Sequence, residues 1–366
     1  MTTSDSSDNE LRAFGRFARK FAFMLPVLVL APAVNYFVDP ANLFAVEGEQ
    51  ERLMGENLLA GKNIVNFERY SDRHIAAHLL ENRVGGADVL ILGSSRTLNM
   101  GAYLFPGSTV VNGSMLASTI REVIAAYQIV HSRKLHFDTV FVGVDPWMLN
   151  AKAYDDRWVA IKPQFDSALK GFGMSEWPGP KETESSRSRF GALFSGDYFQ
   201  QSVRSLMSPS DSVKWYVSDT ALNVGFTRLP DGSYRYSEYE RMKSPDAVSE
   251  KARTYTAGKV YMLDPGTTVD STHLAALRNL LMLISEDGDR PIVYLPPYHP
   301  LVYATLAADE RYRIIKEAEA ILRSMAENLG VTVVGSYDPM SLGLSNADFY
   351  DGHHMTEAGL TKVFAR

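Results

Sequence analysis

The sequence predicts a three-layer α/β/α domain built on a five-stranded parallel sheet, with a transmembrane helix before it and a subdomain inserted into it. Three observations carry this. Short apolar runs recur, each stopped by turn residues: 88–92, 109–112, 139–144, 291–295 and 331–334. Runs of that length, apolar over most positions as in Val89 to Leu92, suit strands buried on both faces. Helical stripes separate them, and strands alternating with helices give a parallel sheet with right-handed crossovers. Finally, residues 21–38 hold no charge at all.

Residues 1–10 are polar and acidic, and Arg12, Arg16, Arg19 and Lys20 follow. The uncharged run FAFMLPVLVLAPAVNYFV has eighteen residues and reaches roughly 27 Å as a helix, enough to cross the hydrocarbon core. Positive charge before it, and Asp39, Glu47, Glu49 and Glu51 after it, predict a cytoplasmic tail over 1–20. The anchor is then 21–38, and the main domain lies outside the plasma (inner) membrane. Two readings compete with the uncleaved anchor. Ala31-Pro-Ala33 weakly suits a signal peptidase, and the run also suits a buried core helix, though Pro26 and Pro32 make that awkward. Residues 39–87 read as a membrane exit (YFVDPANLF over 36–44) and a helical lead-in over 61–82.

The organising stretch is Asp88-Val-Leu-Ile-Leu-Gly-Ser-Ser-Arg96. Here a buried strand runs into a small-residue turn, where α/β sheets carry their reactive groups. The strand 109–112 ends at Gly113, and Ile120, Val123, Ile124, Tyr127 and Val130 form the stripe of a helix over 118–132. The strand 139–144 stops at Asp145-Pro146. From 147 to 265 the chain is rich in Ser, Tyr, Arg and Glu and has no sustained period, apart from a hairpin over 225–236 with Asp231-Gly232 at its turn. This insertion reads as a lid or substrate-shaping subdomain. Its Trp158, Trp177, Trp215, Tyr234 and Tyr236 serve either a small core or sugar stacking. Asp270 caps a helix over 273–285, the strand 291–295 ends at Pro296-Pro297, and Gly330 caps a helix over 310–329.

The composition is that of a globular protein, 45% apolar and 22% charged, in 366 residues. A net charge of -6 gives no footprint for nucleic acid. The absence of cysteine excludes disulfides, thiol catalysis and thiolate metal sites. No cofactor or metal is expected.

Near the C-terminus, Phe349-Tyr-Asp-Gly-His-His-Met-Thr-Glu-Ala-Gly359 places Asp351 three residues before His354. That spacing lets a carboxylate accept from one imidazole nitrogen while the other faces a nucleophile. On its own it better suits a loop with two exposed histidines, capping the helix from Thr356. The order of the blocks adds weight. A serine after the first core strand, a glycine after the second, and Asp-x-x-His after the last resemble the SGNH (GDSL-type) hydrolase superfamily, from about 88 to 366 outside the insertion. Gly-Ser-Ser in place of Gly-Asp-Ser, with an N-terminal anchor, is similar to its membrane-anchored extracytoplasmic branch. That branch includes the teichoic-acid D-alanyl transfer protein and the alginate and peptidoglycan O-acetylation proteins.

The resemblance implies a flavodoxin-like topology and a Ser95–His354–Asp351 triad of nucleophile, general base and orienting acid. It also implies oxyanion donors at the Ser95 and Gly113 amides, each worth roughly 3 kcal/mol in the transition state. The third block of the superfamily carries an asparagine; here the strand ends at Asp145, which cannot donate when ionised. Either the Asn112 amide substitutes or the hole has two donors. Arg96 is a candidate for an anionic substrate group or for pairing with Asp145. His299 is a candidate cleft residue or a loop residue, His353 an alternative base and Ser94 an alternative nucleophile. The implied activity is acyl transfer to, or ester removal from, a surface polysaccharide or envelope polymer, with a multi-span membrane-bound O-acyltransferase as partner. A non-catalytic adaptor of an acylation or export complex and a plain secreted esterase are the alternatives.

Overall fold

The computed structural model describes residues 48–174 and 215–365, apart from 69, 154–155, 220–224, 259 and 264–267, together with 14, 29–38, 177, 191 and 193–207. The strands are β1 (Asn63–Val65), β2 (Ala87–Leu92), β3 (Val110–Asn112), β4 (Phe137–Gly143), β5 (Tyr216–Ser218), β6 (Thr227–Arg228), β7 (Tyr234–Arg235), β8 (Arg290–Leu295) and β9 (Thr332–Gly335).

Five of them form a parallel sheet in the order β3-β2-β4-β8-β9. Counting only these strands along the chain, the order is 2-1-3-4-5, that of flavodoxin-like folds. The expected apolar runs are these strands, each within two residues of its predicted bounds. Alternation along each strand sends Leu90, Leu92, Val140, Val142, Val293 and Leu295 to one face and Val89, Ile91, Phe141, Ile292 and Tyr294 to the other. The first face is covered by the helices Ile120–Ser132, Ser271–Glu286 and Ile314–Leu329, and the second by Glu357–Phe364 and by Val248 of Pro245–Ala257. Helices on both faces make three layers.

The helix starts follow local chemistry. Thr119 and Glu122 form a capping box, and Asp270 accepts from the amides of Thr272 and His273. Gly330 ends its helix at φ 67°, a left-handed conformation open to glycine. Residues 310–312 form a separate 3-10 turn, so the long helix begins at Ile314 instead of at 310.

The lead-in departs from expectation. Residues 63–65 are a strand, and the helix is confined to Asp72–Glu81, capped by Ser71. β1 is the second strand of a four-stranded antiparallel sheet, β5-β1-β6-β7, whose other members all come from the insertion. The hairpin turns at Asp231-Gly232 as expected, with Gly232 at φ 84°. Much of the 147–265 stretch and the lead-in therefore belong to the same compact unit as the parallel sheet, covering 50–181 and 215–366.

A second compact unit comprises 1–49 and 182–214. Within it, residues 29–38 are helical, as is Gly196–Met207. Residues 21–28 of the expected anchor and the tail over 1–20, apart from Phe14, lie outside the described residues. Among the described residues, no helix is long and apolar enough to cross a membrane.

Candidate active site

The site lies at the carboxyl ends of β2 and β4, where the strand order reverses and open α/β sheets bind ligands. After β2 the chain makes successive turns over 93–99. Thr97 holds them: its Oγ1 donates to the Ser94 carbonyl at 2.9 Å and its amide returns to the same carbonyl at 3.1 Å. The Thr97 side chain fills the space that a Cβ on Gly93 or Gly143 would occupy, 2.6 Å and 2.4 Å away, so both strand ends need glycine. Of residues 91–100, all are buried except Ser95. The turn thus presents one side chain and hides the rest.

Ser95 Oγ lies 2.9 Å from His354 Nε2, and His354 Nδ1 lies 2.8 Å from Asp351 Oδ2. These groups are 259 and 3 positions apart in the chain, and the fold aligns them in a single hydrogen-bonded line. The amides of His353 and His354 both donate to Asp351 Oδ1 at 2.9 Å, which closes the loop around its own carboxylate. Burial pushes the Asp351 carboxyl up, but His354, His353 and these hydrogen bonds outweigh it and hold the group well below the usual carboxylate range. An ionised Asp351 only accepts, so the Nδ1 proton of His354 points to it. Nε2 is left to accept the Ser95 proton.

Two side chains from the serine turn fix the histidine loop. Arg96 Nε donates to the His353 carbonyl at 3.1 Å, and Asn99 Nδ2 donates to the Met355 carbonyl at 2.7 Å. Asn99 escaped the sequence reading because nothing in its neighbourhood marks a long-range partner.

Other expectations are corrected. The Gly113 amide donates to the Ile91 carbonyl at 2.9 Å, continuing the β2–β3 ladder, and is not an oxyanion donor. Asn112 is fully buried; its Nδ2 serves the carbonyls of Thr97 and Met100 at 2.8 Å, and its Oδ1 accepts from the Ser114 amide. It braces the serine turn instead of facing an acyl group. The Ser95 amide donates to no group among the described residues.

Arg96 and Asp145 are not substrate contacts. Both are buried and paired at 2.7 Å, and the Arg96 guanidinium also donates to the Pro296 carbonyl and lies 4.2 Å from the Tyr298 ring. Burial opposes both charges. Asp145 holds Arg96 protonated against it, and burial pushes the Asp145 carboxyl up against the pull of Arg96.

His299 caps the helix Pro300–Ala307, with Nδ1 accepting from the Leu301 amide at 3.2 Å, and lies buried against Phe349. Burial pushes its imidazole down to about 4. The native protein therefore keeps His299 neutral down to that pH, whereas the unfolded chain protonates it near 6.5. Unfolding takes up a proton between the two, so this stability is complete above pH 6.5 and is lost as pH falls toward 4, roughly 3 kcal/mol in all. Asparagine keeps a helix cap but does not titrate. In urea titrations, His299→Asn is expected to lose about 2 kcal/mol less than wild type between pH 7.5 and pH 5.

The serine and both histidines open onto a cavity of about 460 Å³. Ser95, Leu98, Leu116 and Ala117 form one part of its lining, and Trp147, Phe226, Tyr234, Tyr236, Tyr255 and Tyr261 from the insertion form another. The insertion's Glu240 and Lys251, paired at 3.0 Å, also line it. Tyr236 lies 6.0 Å from His354 between ring centres, and Tyr255 lies 4.7 Å from His353. Trp158 and Trp177 bracket Phe165 away from this lining and belong to a core, the other reading of the insertion aromatics. Burial pushes His353 down to about 3, with His354 adding to the shift, which suits a neutral wall residue; among the described residues no hydrogen bond reaches its Nδ1. Ser94 is buried and its Oγ accepts from the Arg96 amide, so it is turned away from the base. Asp351, His353 and His354 offer ligand atoms within 4.8 Å of one another, and a cation held there would take His354 out of the line to Ser95.

No protein-family model matches the chain, and no curated protein matches it.

Proposed function

We propose that this chain is an SGNH-type serine acyltransferase or esterase, anchored in the inner membrane by residues 21–38 with its N-terminus in the cytoplasm. Its main domain would act outside that membrane on a surface polysaccharide or envelope polymer. One observation carries the reading: Ser95, His354 and Asp351 stand in line at 2.9 Å and 2.8 Å beside a cavity.

The chemistry follows from that line. Ser95 Oγ attacks an acyl carbonyl while His354 Nε2 takes its proton, and the negative charge develops on the carbonyl oxygen. The Ser95 amide is the donor available to it. Collapse of the tetrahedral species breaks the bond to the leaving oxygen, which receives the proton from His354. A sugar hydroxyl or water then attacks the acyl-serine, giving up its own proton to His354; the second tetrahedral species breaks its bond to Ser95 Oγ, which takes the proton back from His354, and Ser95 is regenerated. The aromatic lining suits stacking on sugar rings. The proposed partner, a multi-span O-acyltransferase that brings acyl groups across the bilayer, rests on the family resemblance alone.

Loss of the Gly113 and Asn112 donors favours the second reading, an adaptor that keeps the fold without turnover. A serine-directed fluorophosphonate separates the two. The wild-type chain is expected to be labelled, Ser95→Ala to be unlabelled and Ser94→Ala to retain labelling. A folded wild type that resists labelling supports the adaptor. Rapid turnover of simple acetyl esters by the isolated chain supports the plain esterase.

A further inference from the structure

Asn35 is the one strongly polar side chain inside the uncharged run 21–38, and it is fully buried. Its Nδ2 donates to the carbonyls of Leu193 at 2.8 Å and Ser195 at 3.3 Å. Its Oδ1 lies 3.1 Å from Ser202 Oγ, which also reaches the Tyr198 carbonyl at 2.9 Å, so one hydroxyl proton is shared between two acceptors. All of these partners belong to one short piece of the insertion, the helix Gly196–Met207 and the residues just before it. An amide in hydrocarbon is costly unless its hydrogen bonds are met, so an asparagine within an apolar segment acts as a clamp for whatever meets them.

The clamped helix has three faces. At about 100° per residue, Tyr198 and Ser202 fall on the buried face. Asp197, Gln200, Gln201 and Arg204 fall together on the opposite, polar side. Between them runs an apolar strip of Phe199, Val203, Leu206 and Met207, of which Leu206 and Met207 are 60% and 79% exposed. The N-terminal helix also exposes apolar side chains, at Val29, Leu30 and Phe37.

We propose that Gly196–Met207 is a membrane-interface helix, clamped to the anchor through Asn35, with its apolar strip in the acyl chains of the bilayer and its polar side toward the head groups. The occupant of the exposed strip is lipid, because the strip borders the face docked on the chain's own uncharged segment. The insertion that supplies the cavity's tyrosines is thereby tied to the bilayer a second time. This rests on the anchor reading of 21–38 and not on the serine chemistry.

The chain has no native cysteine, which makes the test direct. Single cysteines replacing Val203, Leu206 or Met207 in the full chain, and one replacing the exposed Val84 as reference, are labelled with an environment-sensitive fluorophore. The chains are then reconstituted in phosphatidylethanolamine–phosphatidylglycerol vesicles. The labels at 203, 206 and 207 are expected to shift to the blue and to lose emission when brominated acyl chains are used; the label at 84 is not. Labels on the strip that behave like the one at 84 overturn the proposal. In the same vesicles Asn35→Cys with Ser202→Cys is expected to form a disulfide under mild oxidation, and failure to do so overturns the clamp. Fluorophosphonate labelling of Ser95 in the same samples reports on the catalytic reading separately.

Discussion

Asp351→Asn is expected to lower turnover by about 10³–10⁴-fold while the protein stays folded. The loss comes from a proton on the wrong nitrogen. Asp351 Oδ1 accepts two backbone amides, so the asparagine oxygen keeps that position and its NH₂ takes the place of Oδ2. His354 Nδ1 must then accept, its proton moves to Nε2, and Nε2 meets Ser95 as a donor. The serine keeps its neighbour and loses its base. Fluorophosphonate labelling rates and thermal unfolding, measured on the same preparations, check this. A variant labelled at the wild-type rate would remove Asp351 from the reaction.

The largest expected effect on stability is at Asp145. Asp145→Ala leaves the Arg96 guanidinium buried without its counter-ion, and removing one partner of such a pair costs about 3–5 kcal/mol. The damage also reaches the chemistry, because Arg96 holds the His353 carbonyl one residue from the base. Urea unfolding is expected to show the loss at neutral pH. The double variant Arg96→Met with Asp145→Leu removes both charges and is expected to recover much of the stability, while labelling of Ser95 stays slow because the contact to His353 is missing. If the single variant unfolds at the wild-type midpoint, the ion pair is not what holds this corner together.

The parallel sheet was legible because strands buried on both faces are apolar over most positions, and each of the five ends at a glycine, a proline or a polar turn residue. β1 and β5 were not, because strands of three residues carry no measurable period, whereas β6 and β7 were legible through the hairpin expected over 225–236. The Ser95–His354–Asp351 hydrogen-bonded line was legible from order: Ser95 after the first core strand and Asp351 with His354 before the last helix are local patterns that one strand topology brings together. The oxyanion donors were misread for a related reason. Position beside a strand end does not say whether an amide continues the ladder, as Gly113 does, or whether a side chain turns inward, as Asn112 does. His299 follows a strand too, yet the helix beginning at Pro300 claims its ring as a cap. Half of the cavity wall comes from an insertion with no sustained period, so Tyr234 and Tyr236 could be named but not located, and Tyr255 and Tyr261 were missed.

The placement of β1 between β5 and β6 has a consequence for how this protein can be re-engineered. The insertion is not a detachable module. Excising it would leave a lead-in strand with bare amides and carbonyls along both flanks, an open template for pairing with other chains. Chimeras that exchange the insertion must therefore exchange residues 63–65 along with it, as a matched set.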